Sequence, residues 1–244
     1  MRRRSILAAA FAAPAILRAS GASAMEPVDV ELVLAVDVSR SVDEQEQEMQ
    51  FRGYANAFRD PRLAEAMMRG PLGSAAVTLF TWSDWNIQEH LIGWTRLDSP
   101  LACRRLAEAL DAAPRRTHLY TSISGAMDFA GRLFGQGFEG TRRVVDISGD
   151  GINNSGRELE AARRDVLAQG IILNGLAVLD RTPAPASLGP AQPLDAYYRE
   201  RVIGGPGAFL MVAEGFESFE HAVRRKIIRE VAGLGGPMVE HAFA

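Results

Sequence analysis

At 244 residues, 47% hydrophobic and 23% charged, the chain has an ordinary globular composition and enough apolar material for one substantial core. It holds no block of like charge and no repeat of fixed period, which sets aside a basic nucleic-acid tail and a solenoid. A single cysteine, Cys103, excludes an intramolecular disulfide.

Residues 1–24, MRRRSILAAAFAAPAILRASGASA, read as a cleavable export signal, with a basic start, an apolar middle and Ala22-Ser23-Ala24 as a small-residue cleavage site. The apolar stretch is too short to span a membrane. Arg3-Arg4-Ser5-Ile6-Leu7 is similar to the twin-arginine export pattern, with an arginine-rich general secretory signal as the alternative. Removing the segment takes four arginines and no acids. The remaining domain, residues 25–244, then sets 23 basic residues against 30 acidic ones, a formal charge near −7. An acidic protein of this kind is a poor non-specific ligand of nucleic acid. The expected location is the periplasm or the exterior, without a stable membrane span.

Two periods alternate along the rest of the chain. VELVLAV (30–36) is continuously apolar, as a strand buried on both faces should be. DEQEQEMQFRGYANAF (43–58) puts Met49, Tyr54 and Phe58 on one helical face. SAAVTLFTW (74–82) predicts a second strand and NIQEHLIGW (86–94) a third, at or near an edge. Ser99 and Pro100 open a helix over 100–112, in which Cys103 reads as a small core residue. The second half of 117–134 is helical, and RVVDIS (143–148) is the next strand. A helix over 156–170 ends on Gly170 and leads into the strand IILNGLAVL (171–179). Residues 180–193, rich in proline, form the one long loop. A short helix (194–202), a strand (207–213) and a closing helix (216–232) complete the chain. Strands separated by helices imply right-handed crossovers, so the expected fold is one doubly wound α/β domain: a mostly parallel sheet with helices on both faces.

Ligands of such sheets bind at the carboxyl ends of the strands. Polar residues gather at three of those ends. The first strand runs into Asp37-Val38-Ser39-Arg40-Ser41, the fourth into Ser148, Asp150 and Asn153, and Thr121-Ser122 precede a helix at the same rim. Two carboxylates and several hydroxyls, without histidine or thiol, are hard oxygen donors that suit Mg²⁺, Mn²⁺ or Ca²⁺ rather than zinc or copper. Neutral hydroxyls leave part of the cation's charge available to an incoming anion. The serines are therefore read as ligands and not as nucleophiles.

Asp37-x-Ser39-x-Ser41, then Thr121, then Asp150-Gly151 after an apolar strand resembles the metal-ion-dependent adhesion site of von Willebrand factor type A (vWA) domains, a Rossmann-like fold. Chain order, spacing and strand context match over roughly residues 28–232. DVSRSVDE and VIGGPGAF further resemble the bacterial exported branch of unknown function, DUF1194. The resemblance implies that Ser39 and Ser41 bind the metal directly, Thr121 directly or through water, and Asp37 and Asp150 often through water. It also implies that a carboxylate of a partner protein fills the open position. Here the family's usual two glycines before the Thr are replaced by His118, Leu119 and Tyr120, which makes Thr117 a rival to Thr121. Thr121 leads straight into a helix and fits better. Asn153 and Asn154 shape the turn beside Asp150, and Ser148 reads as a strand-end residue.

Other chemistry finds less support. G-x-S-x-G is absent, the four histidines are scattered, and GGPG (204–207) lacks the Lys-Ser/Thr of a phosphate loop, so it reads as a tight turn. A metal-dependent phosphohydrolase, the enzymatic alternative, needs an acid–base Asp where Ser39 stands. A structural scaffold with a vestigial site is the third reading. The sequence thus points to a non-enzymatic protein-binding module, with Mg²⁺ as the first-choice cation and Mn²⁺ or Ca²⁺ as alternatives.

Overall fold

In the computed structural model, which describes residues 25–179, 192–234, 236 and 238–242, the first half of the chain forms β1 (Glu26–Val28), β2 (Val30–Asp37), α1 (Glu44–Arg59), α2 (Pro61–Met68), β3 (Ala75–Trp82), β4 (Gln88–Leu97) and α3 (Pro100–Ala112). The second half forms α4 (Ile123–Gly131), β5 (Phe138–Gly140), β6 (Arg143–Gly149), α5 (Leu159–Leu167), β7 (Ile172–Val178), α6 (Leu194–Tyr197), β8 (Leu210–Ala213), α7 (Phe219–Ala232) and β9 (Val239–Ala242). A π-turn at Tyr198–Val202 extends α6, and a 3₁₀ turn at Phe216–Ser218 leads into α7. The export signal (1–24) and most of the proline-rich loop (180–191) lie outside the described residues.

Seven strands form one sheet in the order β4-β3-β2-β6-β7-β8-β9, parallel throughout except for β4, which runs antiparallel to β3 at one edge. β2 is the hinge of the architecture. All eight of its residues are buried, and its side chains alternate between two apolar clusters. Val30, Leu32, Leu34 and Val36 join the cluster that includes α1, α2, α3 and α7; Val33 and Ala35 join the one that includes α4 and α5. The continuous apolar run follows from this geometry, because both sheet faces are covered. The doubly wound α/β expectation holds.

Local signals explain most helix starts. Asp43 and Glu46 form a reciprocal capping box at α1, each side chain accepting from the other's backbone N–H. Ser99 caps α3 and buries Cys103 one turn later. Tyr54 and Phe58 are buried as expected, and Met49 packs partly buried against the same core.

Three kinds of element differ from the expectation. Helix α2 lies outside the expected elements, although Asp60 caps it and Pro61 occupies its first turn, the same start signal as Ser99-Pro100. β1 and β5, three residues each, pair with one another in a separate two-stranded sheet, and β9 adds a parallel strand at the far edge. Strands this short carry no measurable alternation. Among the described residues, no helix is long and apolar enough to cross a membrane.

Candidate metal centre

Asp37 is the last residue of β2, lying between Trp82 on β3 and the end of β6. It is fully buried. Gln50 of α1 holds its carbonyl (3.2 Å), and its carboxylate Oδ1 accepts the Ser39 N–H at 2.7 Å. A turn closed by Val42 N–H to Ser39 O (2.9 Å) brings the next two hydroxyls into line. Ser39 Oγ lies 3.2 Å from Ser41 Oγ, and Ser41 Oγ donates to Asp150 Oδ1 at 2.6 Å. A continuous file of oxygens, Asp37–Ser39–Ser41–Asp150, therefore crosses the crevice between the ends of β2 and β6.

The second oxygen of Asp37 stands apart. Oδ2 is buried and has no hydrogen-bond partner among the described residues. Beside it Gly149 must lack a side chain, because a Cβ there would lie 2.7 Å from Oδ2 and 2.8 Å from the Tyr198 hydroxyl. Burial, and then the charge of Asp150, push the Asp37 carboxyl up to about 8 against the hydrogen bonds from Ser39. Tyr198 is buried against Asp37 and is pushed well above the ordinary phenol range, mainly by burial. An anion in such a place is expensive unless a cation meets it.

Thr121 approaches from the loop between α3 and α4. Its N–H donates to Asn154 Oδ1 (2.9 Å) and its carbonyl accepts the Asn154 N–H (2.8 Å), so the loop after β6 clamps it on both sides. Gly151 faces it, since a Cβ built there would sit 3.4 Å from Thr121 Oγ1. Ser122 caps α4 by accepting from Gly125 N–H. Thr117, the rival, is exposed and accepts a 2.6 Å hydrogen bond from Gln47 Nε2.

The remaining candidates have structural tasks. Ser148 is buried within β6, accepting from the Tyr54 hydroxyl and donating to Ala35 O, both at 3.2 Å. Asn153 accepts the Ser124 N–H at the start of α4 (2.9 Å) and its own N–H donates to the Tyr197 hydroxyl (3.2 Å). Sequence reasoning missed Tyr198 and Gly149, which shape the far wall. Tyr198 stands in no local motif, and Gly149, between Ser148 and Asp150, offers no side chain to mark it. Among the described residues no three His, Cys, Asp or Glu side chains cluster. A cation here would accordingly rest on two carboxylates and hydroxyls, and the partnerless Asp37 Oδ2 fits one.

Four large side chains stand exposed on the loops around this crevice: Trp85, Leu119, Tyr120 and Ile152. Ser83 ties the first two loops together by accepting Ser122 N–H (2.6 Å) and donating to Tyr120 O.

A family profile described as "Protein of unknown function (DUF1194)" matches residues 27–235. The chain belongs to the DUF1194 family. No curated protein matches its sequence. Solved structures place this DUF1194 domain in the vWA fold. Proximal thread matrix protein 1 from the mussel byssus, in a form with a zinc-occupied MIDAS motif, superposes with TM-score 0.59 at 11% identity, over 85% of this chain and 49% of that one. BatB from Bacteroides thetaiotaomicron superposes with TM-score 0.53 at 16% identity, over 84% and 100% of the two chains. A von Willebrand factor type A structure from Catenulispora acidiphila gives 0.54 at 13% identity, over 84% and 43%. The DUF1194 chain thus spans about half the length of the mussel protein structure.

Proposed function

We propose that this DUF1194 protein is an exported binding module in which Asp37, Ser39, Ser41, Thr121 and Asp150 hold a divalent cation, Mg²⁺ foremost, and capture an acidic side chain of a partner protein. The observation that carries this reading is the buried, partnerless Oδ2 of Asp37 at the head of a file of hydroxyl and carboxylate oxygens. Asp37 and Asp150 balance the charge of one divalent ion, and the three hydroxyls add neutral ligands. The bound cation would supply an open coordination position for the partner's carboxylate. Only two carboxylates in an all-oxygen set favour Mg²⁺ or Mn²⁺ over tight Ca²⁺ binding. The vWA fold and the occupied MIDAS motif of the mussel structure support the assignment.

Trp85, Leu119, Tyr120 and Ile152 surround the crevice with apolar surface, so the captured acid belongs to a folded or peptide partner with apolar flanks. Catalysis is the weaker reading, because the position that a phosphohydrolase gives to an acid–base Asp is the hydroxyl of Ser39.

The test uses the purified protein and Asp37→Ala. Mg²⁺ should raise the melting temperature of the wild type, following occupancy as RT ln(1 + [L]/Kd), and leave the variant unmoved. Partner capture from periplasmic extract should require Mg²⁺ and fail with the variant. An unchanged Mg²⁺ shift in Asp37→Ala, or Mg²⁺-dependent hydrolysis of phosphate esters, refutes the proposal.

A further inference from the structure

At the opposite end of the sheet, where β6 and β7 begin and the chain enters β8, lies a cavity of about 510 Å³ whose walls carry Arg142, Arg163, Arg199 and Arg229. Glu230 is the one carboxylate among its described lining residues, and it is already committed to Lys226 Nζ (2.5 Å) and Asn174 Nδ2 (2.9 Å). Four guanidiniums around one engaged acid form a concentrated positive field in a protein of net negative charge.

Two of these arginines are held by main-chain carbonyls. Arg163 donates from Nε (3.0 Å) and Nη2 (2.6 Å) to one carbonyl, Ile203 O, and Arg142 donates from Nη2 to Val231 O (3.2 Å). Among the described residues neither has a carboxylate within ion-pairing distance. Arg199 pairs with Glu200 and Arg229 with Glu240, each at 3.4 Å. Arg229 also stacks over the Phe209 ring at 3.8 Å, which fixes its plane. Burial lowers the pKa of both Arg142 and Arg229.

Backbone clearance makes room for this cluster. A Cβ at Gly204, in the GGPG turn, would sit 2.8 Å from Arg163 Nη2. One at Gly233, where φ is +62°, would sit 3.3 Å from Arg142 Cζ. The two guanidiniums thus lie against bare main chain, and the GGPG turn is a wall of the cavity as well as a turn.

We propose that this cavity binds a small dianion carrying carboxylate or phosphate oxygens. Planar guanidinium forks match such oxygens in pairs, the donors spent on main-chain carbonyls leave others for a ligand, and the volume lies within the range of small-molecule pockets. Val144, Ile172 and Ile203 line the same space and accommodate a short apolar body between anionic ends.

Calorimetric titration of the metal-free protein with inorganic phosphate and with succinate, against sodium chloride at matched ionic strength, tests this. One or both dianions should bind saturably, and the two arms decide between phosphate and carboxylate chemistry. Arg142→Gln and Arg163→Gln should each weaken binding about tenfold or more, the scale of a lost charge-assisted hydrogen bond. Arg199→Gln alters an exposed residue, so it reads the same loss without risk to folding. The Mg²⁺-induced melting shift should be unchanged in all three. Binding no stronger than that of chloride, or affinity untouched in the folded variants, overturns the proposal.

Discussion

Replacing Lys226 by methionine removes one charge from the interior and little else. Lys226 is the only lysine of the chain, and it is fully buried on α7. Its ammonium lies 2.7 Å from Asp146 Oδ1 and 2.5 Å from Glu230 Oε1, and both acids are buried too. Methionine keeps the stem volume, so the loss reports the charge network and not a cavity. With the ammonium gone, two carboxylates face each other without a cation, and breaking a buried pair in this way costs about 3–5 kcal/mol. For a domain of this size that is a melting-temperature drop on the order of 10 °C.

The pH dependence follows from Asp146. Burial raises its carboxyl from 3.8 to about 7, Lys226 opposes the rise, and Glu230 adds to it. A carboxyl raised in the folded state binds a proton that the unfolded chain has released, so stability falls as pH climbs from the unfolded value to the folded one. Without Lys226 the folded value climbs further and the falling window extends to higher pH. The deficit of Lys226→Met should therefore be wider at pH 8.5 than at pH 6. Urea unfolding followed by tryptophan fluorescence measures both, with Trp82 fully buried in β3 as reporter. A deficit below about 1 kcal/mol, or one independent of pH, would refute the reasoning. Replacing all three members with apolar residues of similar size should recover most of the loss.

Ser148→Ala should cost about 1–3 kcal/mol by leaving the buried Tyr54 hydroxyl without its acceptor, yet preserve the Mg²⁺-induced melting shift. If that shift disappears, Ser148 belongs to the metal site. Asn154→Ala removes the side-chain oxygen that accepts the Thr121 N–H, and calorimetry should find Mg²⁺ bound about tenfold more weakly, since 1.4 kcal/mol of lost positioning is one decade. Equal affinity would detach Thr121 from the site. Cys103 is buried, and burial pushes its thiol up to about 11, so Ellman's reagent should label it at pH 8 only after urea unfolding. Rapid labelling of the native protein would contradict its place in the core.

Much of this protein is legible in its sequence because its strongest signals are local. Parallel strands covered on both faces appear as apolar runs, and the runs at β2, β3, β6 and β7 match the strands to within a residue or two. Asp37, Ser39, Ser41 and Asp150 sit directly after two of those runs, so the same reading that finds the strands puts the oxygens at their carboxyl ends. Thr121 is marked by the helix that follows it. The surroundings of Thr121 and Thr117 are not local, however: Asn154 reaches Thr121 and Gln47 reaches Thr117 from segments far apart in the chain.

Tertiary structure alone decided the rest. Lys226 in an amphipathic helix would ordinarily point to water, and Glu230 one turn later was visible beside it. Asp146, the partner that completes its burial, comes from the middle of the sheet. Tyr198 meets Asp37 across the strand order, and Arg142, Arg163, Arg199 and Arg229 come from separate segments to one cavity. Side-chain periodicity records which face of an element is buried, because that depends on a rotation of a few residues. Which distant residue waits on the other side is set by the order of strands in the sheet, and no local pattern encodes that order.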